Sequence, residues 1–169
     1  MKKYVFKPYD PVFPKLFEVE KNRIKKILGE DDLIEHIGST SISGLGGKGI
    51  IDICIATSKR GLGIASKKLQ KIGYLFDPTD GSEERLFHKI LLTDGNGIRV
   101  YHVHLTFPES LEWANVIAFR DYLRTHPKEA AKYAEIKKSA AKKANENREV
   151  YMEIKSPFID KIVKKALKD

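Results

Sequence analysis

The residues best suited to chemistry lie in one run, His36-Ile-Gly-Ser-Thr-Ser-Ile-Ser-Gly-Leu-Gly-Gly-Lys-Gly-Ile-Ile-Asp52-Ile53. Its glycines let backbone N–H groups come close to a phosphate. Its one lysine, Lys48, can neutralise a phosphate as a point charge. Ser39 and Thr40 add hydroxyls beside Gly38. Asp52 stands in an apolar segment, where a carboxylate is costly unless it is paired or binds a cation. The obvious cation is magnesium, which a few carboxylates hold while phosphates complete the shell. The run is not a Walker A loop, because Lys48 is followed by Gly49 instead of Ser or Thr. It is not a dinucleotide fingerprint either, because it opens a strand and not a helix. The competing reading is a mobile Ser/Gly loop with Asp52 satisfied by a backbone or arginine partner. Against it, an ordinary hairpin loop of about 2–5 residues would be much shorter.

More candidates come from later in the chain. His102 and His104 alternate onto one face of a strand, where imidazoles can bind a metal or act as a base near neutral pH. Imidazole suits zinc, manganese or nickel better than magnesium. Arg85 and Lys89 share a strand face with Phe87, either as an anion contact with an aromatic surface or as the protective charge of an edge strand. Arg120 and Arg124 are four apart on a helix, as are Tyr133 and Lys137, and Tyr151 and Lys155. Such pairs serve a ligand or simply stabilise helices. His36 reads as structural. Cys54 reads as a small buried hydrophobe, since no neighbour in sequence activates a thiolate.

The elements that must position these residues follow from periodicity and punctuation. Residues 13–28 read as a helix stopped at Gly29. Strands are expected at 33–37 and 50–56 with the Gly-rich loop between them, then an amphipathic helix over 62–72. Strands 86–93 and 98–107 flank Asp94-Gly95-Asn96-Gly97, a good hairpin signal. From residue 109 the chain reads as helix, broken at Pro127 and again near 145–147. Strands first and helices later suggest an α+β fold. One domain spanning 1–169 is expected, with a sheet core over about 1–108 and C-terminal helices over about 109–169 forming one wall of the site.

Composition fits that picture. The chain has 169 residues and a mass of 19.2 kDa, with 41% hydrophobic and 32% charged residues. These values fit one globular domain with room for a core. No apolar run of about 18 residues is present, so no membrane span is expected. The start, Met1-Lys2-Lys3-Tyr4, is too charged for a signal peptide. The single cysteine suits a reducing cytoplasm. Net charge is +8, and residues 111–169 carry 14 basic against 9 acidic side chains. A basic balance favours anionic partners. Nucleic acid ranks low among them, because no helix-turn-helix or aromatic single-strand motif is present.

Gly38-Ser39 at a strand end, followed after a spacer by Asp52 on the next strand, resembles the nucleotidyltransferase (polymerase-beta-like) superfamily. More specifically the chain resembles the GrpB family. That likeness rests on Tyr9-Asp10-Pro11, Pro14-x-x-Phe17, Glu35-His36-Ile37-Gly38-Ser39-Thr40, Gly44-Leu45, Lys48, Ile50-Ile51-Asp52-Ile53, Arg85-x-Phe87, His102-Val103-His104, Phe119-Arg120-Asp121-Tyr122-Leu123-Arg124, Tyr133, Lys137, Tyr151 and Lys155. It implies a nucleotidyltransferase-like mixed β-sheet with flanking helices. The implied function is a metal-dependent protein that binds a nucleoside triphosphate or another phosphate-bearing small molecule, with the acceptor unspecified. Asp52 and His104, with His102 beside them, would be catalytic and would hold the divalent metal. Gly38, Ser39, Thr40, Lys48, Arg85 and Lys89 would contact substrate, and Arg120, Arg124, Tyr133 and Lys137 would line the far wall. One departure matters. The superfamily's second carboxylate would fall at position 54, which is Cys54. The alternative is therefore a nucleotide- or coenzyme-binding module without chemistry.

Overall fold

The computed structural model describes residues 4–168; Met1, Lys2 and Lys3, part of the reading of the chain start, lie outside the described residues. Ile51, Ile53 and Ile55 are fully buried, which demands cover on their side of the strand. That strand, β2 (Ile51–Ala56), accordingly sits inside a five-stranded sheet. The other strands are β1 (Leu33–Ile37), β3 (Leu75–Ser82), β4 (Arg85–Asp94) and β5 (Gly97–Thr106). Their order is β1-β2-β5-β4-β3. β2 runs parallel to β5, and the other neighbours are antiparallel. The expected α+β fold with a mixed sheet is the fold observed.

One face of the sheet makes the core. Helix α1 (Phe13–Lys25) brings Phe13, Phe17 and Ile24, and α2 (Leu62–Lys71) brings Ala65 and Leu69, against the β2 isoleucines, Val103 and Leu105. Each of the larger side chains among these, Phe, Ile, Leu or Val, contributes about 1.5–3 kcal/mol. Glu20 faces inward from α1 and is only 2% exposed. It is satisfied there by the Tyr74 hydroxyl at 2.6 Å and by the Arg23 guanidinium.

The opposite face looks toward α3 (Leu111–Thr125), α4 (Pro127–Lys143) and α5 (Arg148–Ala166). Ile42 and Leu45 of the Gly-rich loop bury against Leu123, Tyr133 and Ile162 of these helices. Tyr4 buries against Ala140, Ala144 and Tyr151. The loop and the helices thus share apolar cores. The chain turns from α4 into α5 through Asn145 and Glu146, both left-handed with φ of 43° and 69°. No helix of the described residues is long and apolar enough to cross a membrane.

Two details differ from expectation. α1 ends at Lys25 and not at residue 28, because the chain leaves the helix in turns at Ile27 and Leu28. β3 was not anticipated. It is an edge strand whose register shifts between Asp77 and Ser82, and its Pro78 and Gly81 hide the strand pattern.

Candidate functional site

Strand register builds one wall of the site. Asp52 pairs with His102 across β2 and β5, and Cys54 pairs with His104. On the other side of β5, His102 faces Lys89 and His104 faces Phe87. Alternation carries Asp52, both histidines, Arg85, Phe87 and Lys89 onto the same face. Above it lies a cavity of about 570 Å³, closed by the Gly-rich loop, α4 and α5. Ligand pockets commonly have this size.

At the floor, Asp52 Oδ1 lies 3.4 Å from His104 Nε2 and 3.5 Å from His102 Nδ1. Arg85 Nη1 donates to His104 Nδ1 at 2.8 Å. A guanidinium only donates, so Nδ1 must accept and the His104 proton sits on Nε2, directed at Asp52. Burial alone would raise the Asp52 carboxyl, but hydrogen bonds from His102 and His104 hold it well below the usual carboxylate range. The carboxylate is therefore ionised. Gly38 approaches it closely, at φ +71°, and a Cβ there would fall 2.6 Å from Asp52 Oδ2.

The far wall is cationic and aromatic. Lys137 on α4 is 5% exposed and donates to Gly46 O at 2.9 Å. A Cβ at Gly47 would lie 2.5 Å from Ser39 Oγ and 2.6 Å from Lys137 Nζ. Glycine there is what lets the loop close over both groups. Lys48 lies 5.0 Å from the Tyr4 ring and 5.3 Å from the Tyr151 ring, and the two rings stack at 4.5 Å. Lys155 also lies over Tyr151, at 5.0 Å. Burial lowers Lys137 to about 7, with a further push from Lys155 and Lys48 against an opposing pull from Asp52. Burial and then Lys48 lower Lys155 to about 8. At the rim, Asp77 pairs with Lys89 at 3.6 Å, and Asp80 pairs with Arg148 at 3.2 Å and Arg85 at 3.7 Å.

Of the residues singled out from sequence, Gly38, Ser39, Lys48, Asp52, Arg85, Lys89, His102, His104, Tyr133 and Lys137 line this cavity. Thr40, Arg120 and Arg124 do not. Thr40 is buried beneath the loop, where its hydroxyl donates to Ile50 O and meets His36 Nε2 at 2.9 Å. His36 stacks on Phe17 and is structural, as expected. Arg120 turns to Glu35, Asp121 and the His36 carbonyl. Arg124 grips the Ser41 carbonyl. These two arginines fix α3 to β1 and the loop, and the far wall is built by α4 and α5 instead. Sequence reasoning missed Tyr4, Asp77, Asp80 and Arg148. The Tyr151/Lys155 spacing did signal the α5 contribution.

The donor set does not fit a resident divalent metal at Asp52 and His104. The His104 lone pair at Nδ1 is taken by Arg85, and its other nitrogen carries a proton. Cys54 is 1% exposed, and burial pushes its thiol up to about 12, so it stays protonated. No group of three or more His, Cys, Asp or Glu side chains among the described residues is arranged to hold a metal.

Comparisons with known proteins agree on one family. The family described as GrpB protein matches residues 3–165. A UPF0157 protein of Halalkalibacterium halodurans is 35% identical over 163 residues, covering 94% of this chain and 80% of its own. A UPF0157 protein of Pseudomonas aeruginosa is 34% identical, covering 95% of this chain and 66% of its own. The crystal structure of the conserved protein GrpB from Enterococcus faecalis superposes with a TM-score of 0.82 at 33% identity, over 97% of this chain and 98% of that one. A Cid1 poly(U) polymerase structure bound to MgATP superposes with a TM-score of 0.54 at 18% identity, over 81% of this chain and 44% of that one. The last likeness concerns the fold, which is nucleotidyltransferase-like.

Proposed function

The chain belongs to the GrpB family, and from that premise we propose that its cavity binds the phosphate arm of a nucleoside triphosphate. The observation that carries the reading is the placement of Lys137 and Lys155 with Lys48 on one wall of the cavity, where burial first and neighbouring cations second lower Lys137 and Lys155. Holding like charges together in a half-buried place is unfavourable until an anion arrives. Ser39 and the open Gly46-Gly47 backbone lie beside Lys137, where hydroxyl and N–H donors can share the load. Phe87, Tyr133 and Tyr151, themselves largely buried, contribute ring edges to the cavity lining. A nucleotide-bound neighbour of the same fold supports the ligand class.

In this reading Lys137 and Lys155 hold phosphate oxygens, Ser39 orients them, and Arg85 keeps His104 aligned on Asp52. A second reading is transfer of a nucleotidyl group to an acceptor. It is favoured by the position of Asp52 on β2, facing the cavity with two imidazoles beside it. Cys54, neutral where a second carboxylate would stand, favours binding without transfer.

Calorimetric titration with ATP, GTP, CTP and UTP tests the binding. Charge-assisted hydrogen bonds contribute about 1.5–3 kcal/mol. Lys137→Met should therefore weaken the best nucleotide about tenfold or more. If the wild-type protein binds none of the four, the reading fails.

A further inference from the structure

The arrangement around Asp52 says in what form the ligand is taken. We propose that the site takes its polyphosphate free of divalent metal, with protein cations in place of the ion. This rests on the nucleotide reading above and sharpens it.

Three features of the chain lead there. The single carboxylate already has protein partners, since two imidazoles converge on Asp52 Oδ1 at 3.4 and 3.5 Å. Its other oxygen faces the Gly38 backbone. The histidine nearest to it cannot turn a lone pair inward, because Arg85 claims Nδ1 at 2.8 Å and leaves the proton on Nε2. Arg85, His104 and Asp52 form a line from cation to carboxylate, so the nitrogen facing Asp52 offers a proton where a metal would need a lone pair. At position 54 a buried thiol stands beside His104 in register and offers no charge.

The remaining charge balance points the same way. Six cationic side chains and three carboxylates line the cavity. At the rim Asp77 engages Lys89 of the sheet, and Asp80 engages Arg85 of the sheet and Arg148 of α5. Lys137 and Lys155 face the cavity from the helices. A metal chelate of a triphosphate carries roughly half the charge of the free form and would be met by this surplus less well. The free polyanion matches it and uses the lysines as direct partners.

Calorimetry of the wild-type protein with ATP and with inorganic tripolyphosphate, in EDTA and in excess magnesium, decides it. We expect ATP to bind in EDTA as tightly as in magnesium or more tightly, within about threefold, and tripolyphosphate to bind in EDTA. ATP binding at least tenfold weaker in EDTA than in magnesium would overturn the inference and leave the nucleotide reading standing. No binding of either compound in either buffer would overturn both. A second measurement uses no nucleotide. The electron paramagnetic resonance signal of free manganese should be undiminished by the protein, and stoichiometric loss of that signal would also overturn the inference.

Discussion

Burial controls the ionisation of several side chains here, and each can be read by pH. Lys137 and Lys155 sit at about 7 and 8. Facing them are Lys48 on the loop, Asp52 on β2 and Arg148 on α5. An ammonium is charged below its pKa, so nucleotide affinity should fall as pH rises from about 6 to about 9. Dissociation constants across that range should show a shallower slope in Lys137→Met. His36 and His88 behave differently. Burial lowers both to about 4 from 6.5. The unfolded chain takes up protons between those values and the folded chain does not. Their contribution to stability is therefore full above pH 6.5 and is lost as pH falls toward 4. Thermal unfolding between pH 7 and 4.5 should show a falling midpoint, and His88→Gln, which can keep the Ser66 contact, should flatten part of it. A midpoint insensitive to that range would contradict the burial of both rings. The Asp52 and His102/His104 face was legible in sequence because strand alternation fixes which side chains share a side. The roles of Thr40, Arg120 and Arg124 were not. Helical spacing says which residues share a stripe, and only packing says what that stripe meets.

At the scale of elements, α5 depends on its start. Asn147 Oδ1 accepts from Glu149 N at 2.8 Å and Val150 N at 3.3 Å, and the first two turns carry Tyr151 and Lys155 into the cavity. Loss of such a cap costs about 1 kcal/mol. Asn147→Ala should lower the melting midpoint by about 2–4 °C and weaken nucleotide binding together with it. An unchanged affinity at a lowered midpoint would show that the first turns of α5 contribute nothing to the pocket. Most elements could be read because Gly29, Gly73, Pro127 and the Asp94–Gly97 turn punctuate them. β3 escaped because an edge strand, mostly exposed along its length, has no reason to alternate, and Asp77 and Asp80 in it serve the cavity rim.

For the whole molecule, membership of the GrpB family and the nucleotidyltransferase-like sheet explain where the cavity lies: between a sheet face that never became core and the helices that follow. Neither half is a site alone. Asp52 and His104 touch although they are 52 positions apart, and they meet only through the parallel β2/β5 pair. A parallel neighbour cannot be reached by a short turn. The β4/β5 hairpin, by contrast, closes locally through Gly97. This gives the molecule a history each time it folds. The hairpin and the C-terminal helices can form early, because their contacts are near in sequence, while the β2/β5 pairing must wait for a long loop to close. During refolding, helical signal should therefore return before any capacity to hold ligand. A newly made chain would pass through a stage in which it looks largely folded by its helices and has, as yet, no place to bind anything.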